Sequence, residues 1–279
     1  MLNFTSPSDQ QAFNKAVDQA IRTAAAQEIM PRFQKLGDQD INSKAHGETV
    51  TIADIETEKA LSGTLTALLS GSRILGEECY AENPDVMQLM EQKGATWVID
   101  PIDGTNNYAS GKPVFRCMVA LVLDGKTTAG WIYNPVEHTM LSGWDGLGAF
   151  INGKKQSLPA NPEKQIGTLH SQSRARAELK TALEKGRKKV ETVKSLRCAG
   201  AEYDRLVRGE LAFSCFSRLM PWDHLAGALI HREAGGYNAC LEKQPYTTSS
   251  HHKSEGLMMA PDRERWEELH TILFNGIAF

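Results

Sequence analysis

The segment Asp100-Pro101-Ile102-Asp103-Gly104-Thr105 carries the residues best placed to do chemistry. A short apolar run, Thr96–Ile99, leads into it and reads as a strand that stops at Asp100. Pro101 has no amide proton to give to a ladder, so the chain is expected to turn there. Gly104 accepts backbone geometry that other residues resist. Two carboxylates three residues apart can then converge, and like charges so close repel unless a cation lies between them. Hard carboxylate oxygens joined by a backbone carbonyl, that of Ile102, suit Mg2+. The amides of Gly104 and Thr105 can open a short helix whose free N–H groups would hold a phosphate. Read alone, however, the segment is better explained as an Asp-Gly turn with solvated carboxylates.

Three more acidic positions stand where a fold normally avoids them: Asp54 after Val50-Thr51, Glu77-Glu78 after Leu75-Gly76, and Asp223 after Trp222. Singly each is weak. Asp54 and Asp223 suit the first turn of a helix, where the dipole favours a negative charge. Paired acids at a strand end are commonly just surface.

Helices and short strands must position these groups. Ser8-Asp9 can cap a helix whose apolar stripe, Phe13, Val17, Ile21 and Ala24, runs to about Met30-Pro31. Gly37–Glu48 reads as a polar loop, and a second helix runs from about Asp54 into Leu69. Strands follow at Arg73–Leu75, Thr96–Ile99, Val114–Leu123, Thr127–Tyr133 and Thr139–Ser142. An Asn152-Gly153 hairpin signal closes a mostly antiparallel sheet. The second half alternates: helices near Arg174–Lys185, Gly200–Arg208 and Trp222–Ala234, strands near Val190–Ser195, Leu211–Phe216 and Glu255–Met259, and a last helix from Pro261-Asp262 to about Leu273. A boundary near Ser157–Asn161 divides residues 1–156, with most of the acids, from 157–279, with Asp223. At about 150 residues per domain these are two tightly packed units or one large one.

With 31 Lys+Arg against 34 Asp+Glu, the net charge is −3, so no nucleic-acid or membrane-surface partner is expected. The five cysteines are odd in number, scattered and without a CxxC, which reads as free thiols in a reducing cytoplasm. The first residues lack a charged segment followed by an apolar one, and no apolar run approaches about 18 residues, so neither a signal peptide nor a membrane span is expected.

Read in order, the four acidic segments are similar to those of the inositol monophosphatase family of metal-dependent, lithium-sensitive phosphatases. The likeness rests on Gly47–Asp54, Gly76-Glu77-Glu78, Trp97–Asn106, Gly148–Gly153, Pro221–Ala228 and Glu233–Gly236. It implies a layered αβαβα sandwich, a homodimer, two to three Mg2+ per site, and hydrolysis of a small phosphorylated metabolite. By the same resemblance Glu77, Asp100 and the Ile102 carbonyl hold one metal, and Asp100, Asp103 and Asp223 a second. Glu77 also faces a third metal, which carries the attacking water. Asp54 and Thr105 polarise that water, and Gly104 and Thr105 receive the phosphate.

The match departs at the substrate end. Where several family members place a carboxylate for ring hydroxyls, this chain has Phe216, so 3′-phosphoadenosine 5′-phosphate, fructose 1,6-bisphosphate, histidinol phosphate and NADP stand beside inositol phosphate as substrates. The alternative to an enzyme is a protein that binds a phosphate ligand without catalysis. Lys44 stands near a family lysine. Ala199 falls in the substrate-pocket region, and Arg205 is expected either to meet a second anionic group or to sit in a surface ion pair. Arg187-Lys188-Lys189 reads as a solvated loop and His224 as a helix-surface residue or a support for Asp223. His231 has no evident partner. Adjacent His251 and His252, in an extended segment, would face opposite ways.

Overall fold

The computed structural model describes residues 7–44, 47–159, 165–170 and 175–279. Met1–Ser6, Ala45-His46, the start of the helix expected from Arg174 and part of the Ser157–Asn161 boundary lie outside the described residues.

The first half begins with α1 (Pro7–Ala24), prolonged by a π-helical turn at Ala25–Ile29. A small antiparallel pair follows, β1 (Ile41–Ser43), inside the stretch that reads as a loop, with β2 (Thr49–Thr51) just after it. Then come α2 (Ile52–Leu68), β3 (Arg73–Gly76), α3 (Glu77–Glu82) and a 3-10 segment, Pro84–Glu91. Strand β4 (Ala95–Asp103) leads through Gly104 into α4 (Thr105–Ala109). Strands β5 (Arg116–Leu123), β6 (Lys126–Asn134), β7 (Thr139–Trp144), β8 (Gly148–Ile151) and β9 (Lys154–Gln156) complete a seven-stranded sheet in the order β3 to β9. Only β3 and β4 pair in parallel; the remainder is antiparallel, as expected.

The second half contains β10 (Gly167–Leu169), α5 (Ala177–Gly186), α6 (Ala199–Val207), β11 (Phe213–Phe216), α7 (Pro221–Glu233), β12 (Tyr237–Cys240), α8 (Ser250–Lys253), β13 (Leu257–Ala260) and α9 (Arg263–Phe274). Its sheet runs β10-β11-β13-β12. The strand expected at Val190–Ser195 does not form; Thr192 makes only an isolated bridge to Gly167. The edge strands β10 and β12, three and four residues long, escape the sequence pattern.

Side-chain alternation builds the layers. Trp97, Ile99, Val119, Leu121 and Trp131 point from one face of the large sheet into a cluster with Val17 and Ile21 of α1 and Leu61 and Leu65 of α2. Val98, Met118, Ala120, Val122 and Ile132 point from the other face toward Tyr203 of α6 and Leu225 and Ile230 of α7. That period of two is what a sheet buried on both faces requires. The small sheet covers α6 and α7 from the far side, and α5 and α9 pack outside it around Leu183, Trp266 and Leu269. The result is helix, sheet, helix, sheet, helix. The central cluster draws residues from both halves of the chain, from Leu75 to Met259. Trp131 and Trp144 lie in the core, their indole N–H groups sharing Asn14 Oδ1 at 2.8 and 3.0 Å.

Candidate active site

Asp54 is the third residue of α2. The Thr51 hydroxyl caps the helix by accepting from the Ala53 amide (3.2 Å), and the Asp54 carboxylate reaches back to the Thr51 amide (2.8 Å) and hydroxyl (2.6 Å) through Oδ2. This reciprocal cap fixes the carboxylate. Its Oδ1 is left to the Thr105 hydroxyl, 3.2 Å away. The same hydroxyl lies 2.9 Å from the Ile102 carbonyl, and its one proton serves one acceptor at a time. Burial raises the Asp54 pKa to about 7; Thr51 opposes the shift and the Glu77 charge adds to it.

Strand β4 does not stop at Asp100. It continues to Asp103, and three steps from Asp100 to Asp103 face two steps from Met118 to Arg116 on β5. Residues three apart on a regular strand point to opposite faces; the extra residue of this bulge lets both carboxylates reach one cavity. Pro101 thus marks a bulge, not an end. Gly104 then takes φ of 91°, and a Cβ there would lie 2.9 Å from the Val114 carbonyl, so both backbone and space demand glycine.

Asp103 is held against the N-terminus of α6. It accepts from the amides of Ala199 (3.1 Å) and Gly200 (2.6 Å) and from the Cys198 thiol (3.1 Å). Asp223 sits in the first turn of α7. Burial raises the pKa values of Asp100, Asp103 and Asp223. At Asp100 the charges of Glu77, Asp103 and Asp223 push further, and at Asp223 those of Glu77 and Asp103. Among the described residues the buried Asp100 Oδ1 has no hydrogen-bond partner.

Glu77 opens α3, and a residue the sequence did not flag places it. Glu58 on α2 is buried and accepts the amides of Glu78 and Cys79, both at 2.8 Å. Gly76 gives it room, since a Cβ there would lie 2.2 Å from the Glu58 carboxyl carbon. Lys44 reaches Glu77 at 2.7 Å and Glu78 at 2.8 Å. Among the described residues no three such side chains close into a finished metal cage as they stand: Lys44 engages Glu77 and the α6 amides engage Asp103. The donor set itself, hard oxygens with an unpartnered buried one, fits Mg2+.

A model of the inositol monophosphatase family matches residues 9–273. The chain belongs to the inositol monophosphatase family. It is 30% identical over 220 residues, 76% of this chain and 80% of the relative, to the fructose-1,6-bisphosphatase/inositol-1-monophosphatase of Aquifex aeolicus. To the inositol-1-monophosphatase of Bacillus subtilis it is 28% identical, covering 83% of this chain and 86% of that one. Its fold superposes on the extragenic suppressor protein suhB of Bartonella henselae with a TM-score of 0.79, at 22% identity, over 95% of this chain and 100% of the other. The fold is accordingly the mixed, layered α/β fold of this family.

Glu77, Asp100, Ile102, Asp103, Gly104, Thr105, Ala199 and Asp223 line one cavity, as the family motifs led us to expect, and Asp54 adjoins it through Thr105. Arg205 does not line it; it faces Glu210 at 3.5 Å. Instead Arg187, read as a solvated loop, and Arg197 line it, with His170 and Ser195. His224 is no helix-surface residue: it is buried, donates from Nε2 to the Arg218 carbonyl (2.7 Å) and lies 3.0 Å from the Tyr203 hydroxyl through Nδ1. His231 is also buried, and its Nδ1 finds no partner among the described residues. His251 and His252 share the short α8 rather than an extended segment, with facing ring nitrogens 3.1 Å apart. Asn107 and Tyr108 finish the turn after Thr105, bonding to the Val114, Leu196 and Ile29 carbonyls. Among the described residues no helix is long and apolar enough to cross a membrane.

Proposed function

We propose that this chain is a Mg2+-dependent phosphomonoesterase that hydrolyses a small phosphorylated metabolite by direct attack of water. The observation that carries the reading is the unpartnered, buried Oδ1 of Asp100 among carboxylates that raise one another's pKa values. Glu77, Asp100 and the Ile102 carbonyl would hold one ion, Asp100, Asp103 and Asp223 a second, and Glu77 would share a weaker third. Ions held there would screen the phosphate charge and make water easier to deprotonate.

The chain's own groups do the rest. Ionised Asp54 takes the hydrogen bond of the Thr105 hydroxyl on Oδ1, which leaves the Thr105 oxygen free to accept from the attacking water. Thr51 holds Asp54 from the other side and keeps its Oδ1 aimed. The Gly104 and Thr105 amides, at the start of α4, receive the phosphate oxygens. Burial of Asp54 near neutral pKa suits a group that must exchange a proton with its surroundings.

A homodimer and a cytoplasmic location belong to the same reading; family membership supports the first and five unpaired cysteines the second. The test is phosphate release from inositol 1-phosphate, fructose 1,6-bisphosphate, 3′-phosphoadenosine 5′-phosphate, histidinol phosphate and NADP, with Mg2+ and with EDTA. Turnover only with Mg2+, slowed by lithium, is expected. Silence across the panel while Mg2+ still binds would favour a phosphate-ligand binding protein.

A further inference from the structure

The cavity, about 640 Å3, has a second wall that the carboxylates do not supply. Its hub is Glu202, fully buried on α6. Oε2 accepts from the Thr168 hydroxyl (2.5 Å), His170 Nε2 (2.5 Å) and the Ser214 hydroxyl (3.2 Å); Oε1 accepts from the Ser195 hydroxyl (2.8 Å) and the Leu196 amide (3.1 Å). So many donors offset the cost of burying the charge and make this wall rigid. The His170 ring stacks on Phe216 with centroids 4.4 Å apart. An aromatic face therefore stands at the position where, by the resemblance, several family members place a carboxylate.

Two arginines attach to this frame. Arg187 donates to the Leu169 carbonyl, next to His170. The Arg197 amide donates to the Ser195 hydroxyl (3.0 Å), and its backbone takes φ of 56°, a left-handed conformation costly for a side chain this large. Among the described residues neither guanidinium has a carboxylate partner, whereas nearby Arg218 pairs with Glu48 at 2.5 Å. Guanidinium groups without a counter-ion on a cavity wall are matched to phosphate or carboxylate oxygens.

We infer that Arg187 and Arg197 form a subsite for a second anionic group, phosphate or carboxylate, on the alcohol part of the substrate. This rests on the phosphomonoesterase reading above. The wall disfavours alcohols that carry a positive charge, such as that of histidinol phosphate, by like-charge repulsion.

The test compares kcat/KM for fructose 1,6-bisphosphate, 3′-phosphoadenosine 5′-phosphate and 3-phosphoglycerate with that for inositol 1-phosphate and glycerol 2-phosphate. Wild type should prefer the esters that carry a second anionic group at least tenfold, and Arg187→Gln/Arg197→Gln should shrink that ratio at least tenfold. Preference among the bisphosphates alone assigns phosphate; preference for phosphoglycerate alone assigns carboxylate. Turnover without preference, or a ratio the double variant leaves unchanged, overturns the subsite. Calorimetry in EDTA with fructose 6-phosphate against fructose reads the subsite without the reaction. Binding of the phosphorylated sugar that the double variant loses supports it, and equal binding of both sugars overturns it. No turnover of any ester with Mg2+, alongside that selective binding, would fell the phosphatase reading and leave the subsite standing.

Discussion

The ammonium of Lys44 lies 2.7 Å from Oε1 of Glu77, in a largely buried contact that also takes in Glu78. One lysine thus offsets part of the negative charge gathered around Asp100, Asp103 and Asp223. Lys44→Gln should lower the melting temperature of the metal-free protein by about 5 °C, from loss of about 2 kcal/mol of charged hydrogen bonding. The same change makes the site more negative, so the gain in melting temperature on adding Mg2+ should exceed that of wild type. Differential scanning fluorimetry with EDTA and with Mg2+ reads both; an unchanged melting point with an unchanged gain would contradict the role.

Buried titratable groups set a pH dependence of stability. Asp54 at about 7 and Glu78 at about 8 stand above their unfolded values near 4, mainly because burial disfavours their charged forms. The folded chain then keeps protons that the unfolded chain has lost, so stability from these groups falls as pH rises through 7 and 8. His224 and His231, pushed down to about 3 and about 4 by burial, act oppositely: the unfolded chain gains protons below about 6.5, and stability falls on acidification. Without metal, the melting temperature should fall between about pH 6.5 and 8.5, and the stabilisation by Mg2+ should grow over the same range as the carboxylates lose their protons. A gain from Mg2+ that is the same at both ends of that range would count against the cluster as the metal site.

Glu58 acts through Glu77. Glu58→Ala leaves the Glu78 and Cys79 amides without their acceptor, which should cost about 3 kcal/mol and raise the Mg2+ concentration needed for half-maximal rate at least tenfold. Glu58→Gln keeps one acceptor oxygen but turns its NH2 toward the other amide, so it should recover only part of the stability. A purely structural role would lower the melting point and leave the Mg2+ requirement where it was.

Asp103→Asn should abolish turnover and leave the fold intact by circular dichroism. Its side chain still occupies the pocket over α6, at a cost of about 1–3 kcal/mol because an amide NH2 now faces the Ala199 or Gly200 N–H. Near-normal activity in this variant would remove Asp103 from the metal site.

Much of the site is legible in the sequence because its residues are tied to local backbone chemistry. Gly104 must be glycine, Asp54 and Asp223 suit first turns, and Pro101 interrupts a ladder. What that chemistry signals at Pro101 is ambiguous, because a bulge and a strand end look alike until the register on β5 is known. Strands β10 and β12 are too short, and too much at the edge, to show a period. The pocket's arginines are hidden for another reason. Arg205 has the right neighbourhood in sequence, but its helix aims it at Glu210. Arg187 sits in a basic run and reaches the cavity only because the C-terminus of α5 abuts β10. Glu58 gave no signal of its own, and Glu202 only its place in the stretch that resembles the family's pocket region; tertiary packing alone buries each.

The most direct test is the rate of phosphate release as Mg2+ is withdrawn with EDTA and then restored, on whichever ester of the panel is turned over fastest. A carboxylate cluster that works by holding more than one ion predicts no rate in EDTA, full recovery on adding Mg2+, a steeper than first-order rise at low Mg2+, and loss of that rise in Asp223→Asn. A rate that persists in EDTA, or full activity in Asp223→Asn, would contradict it.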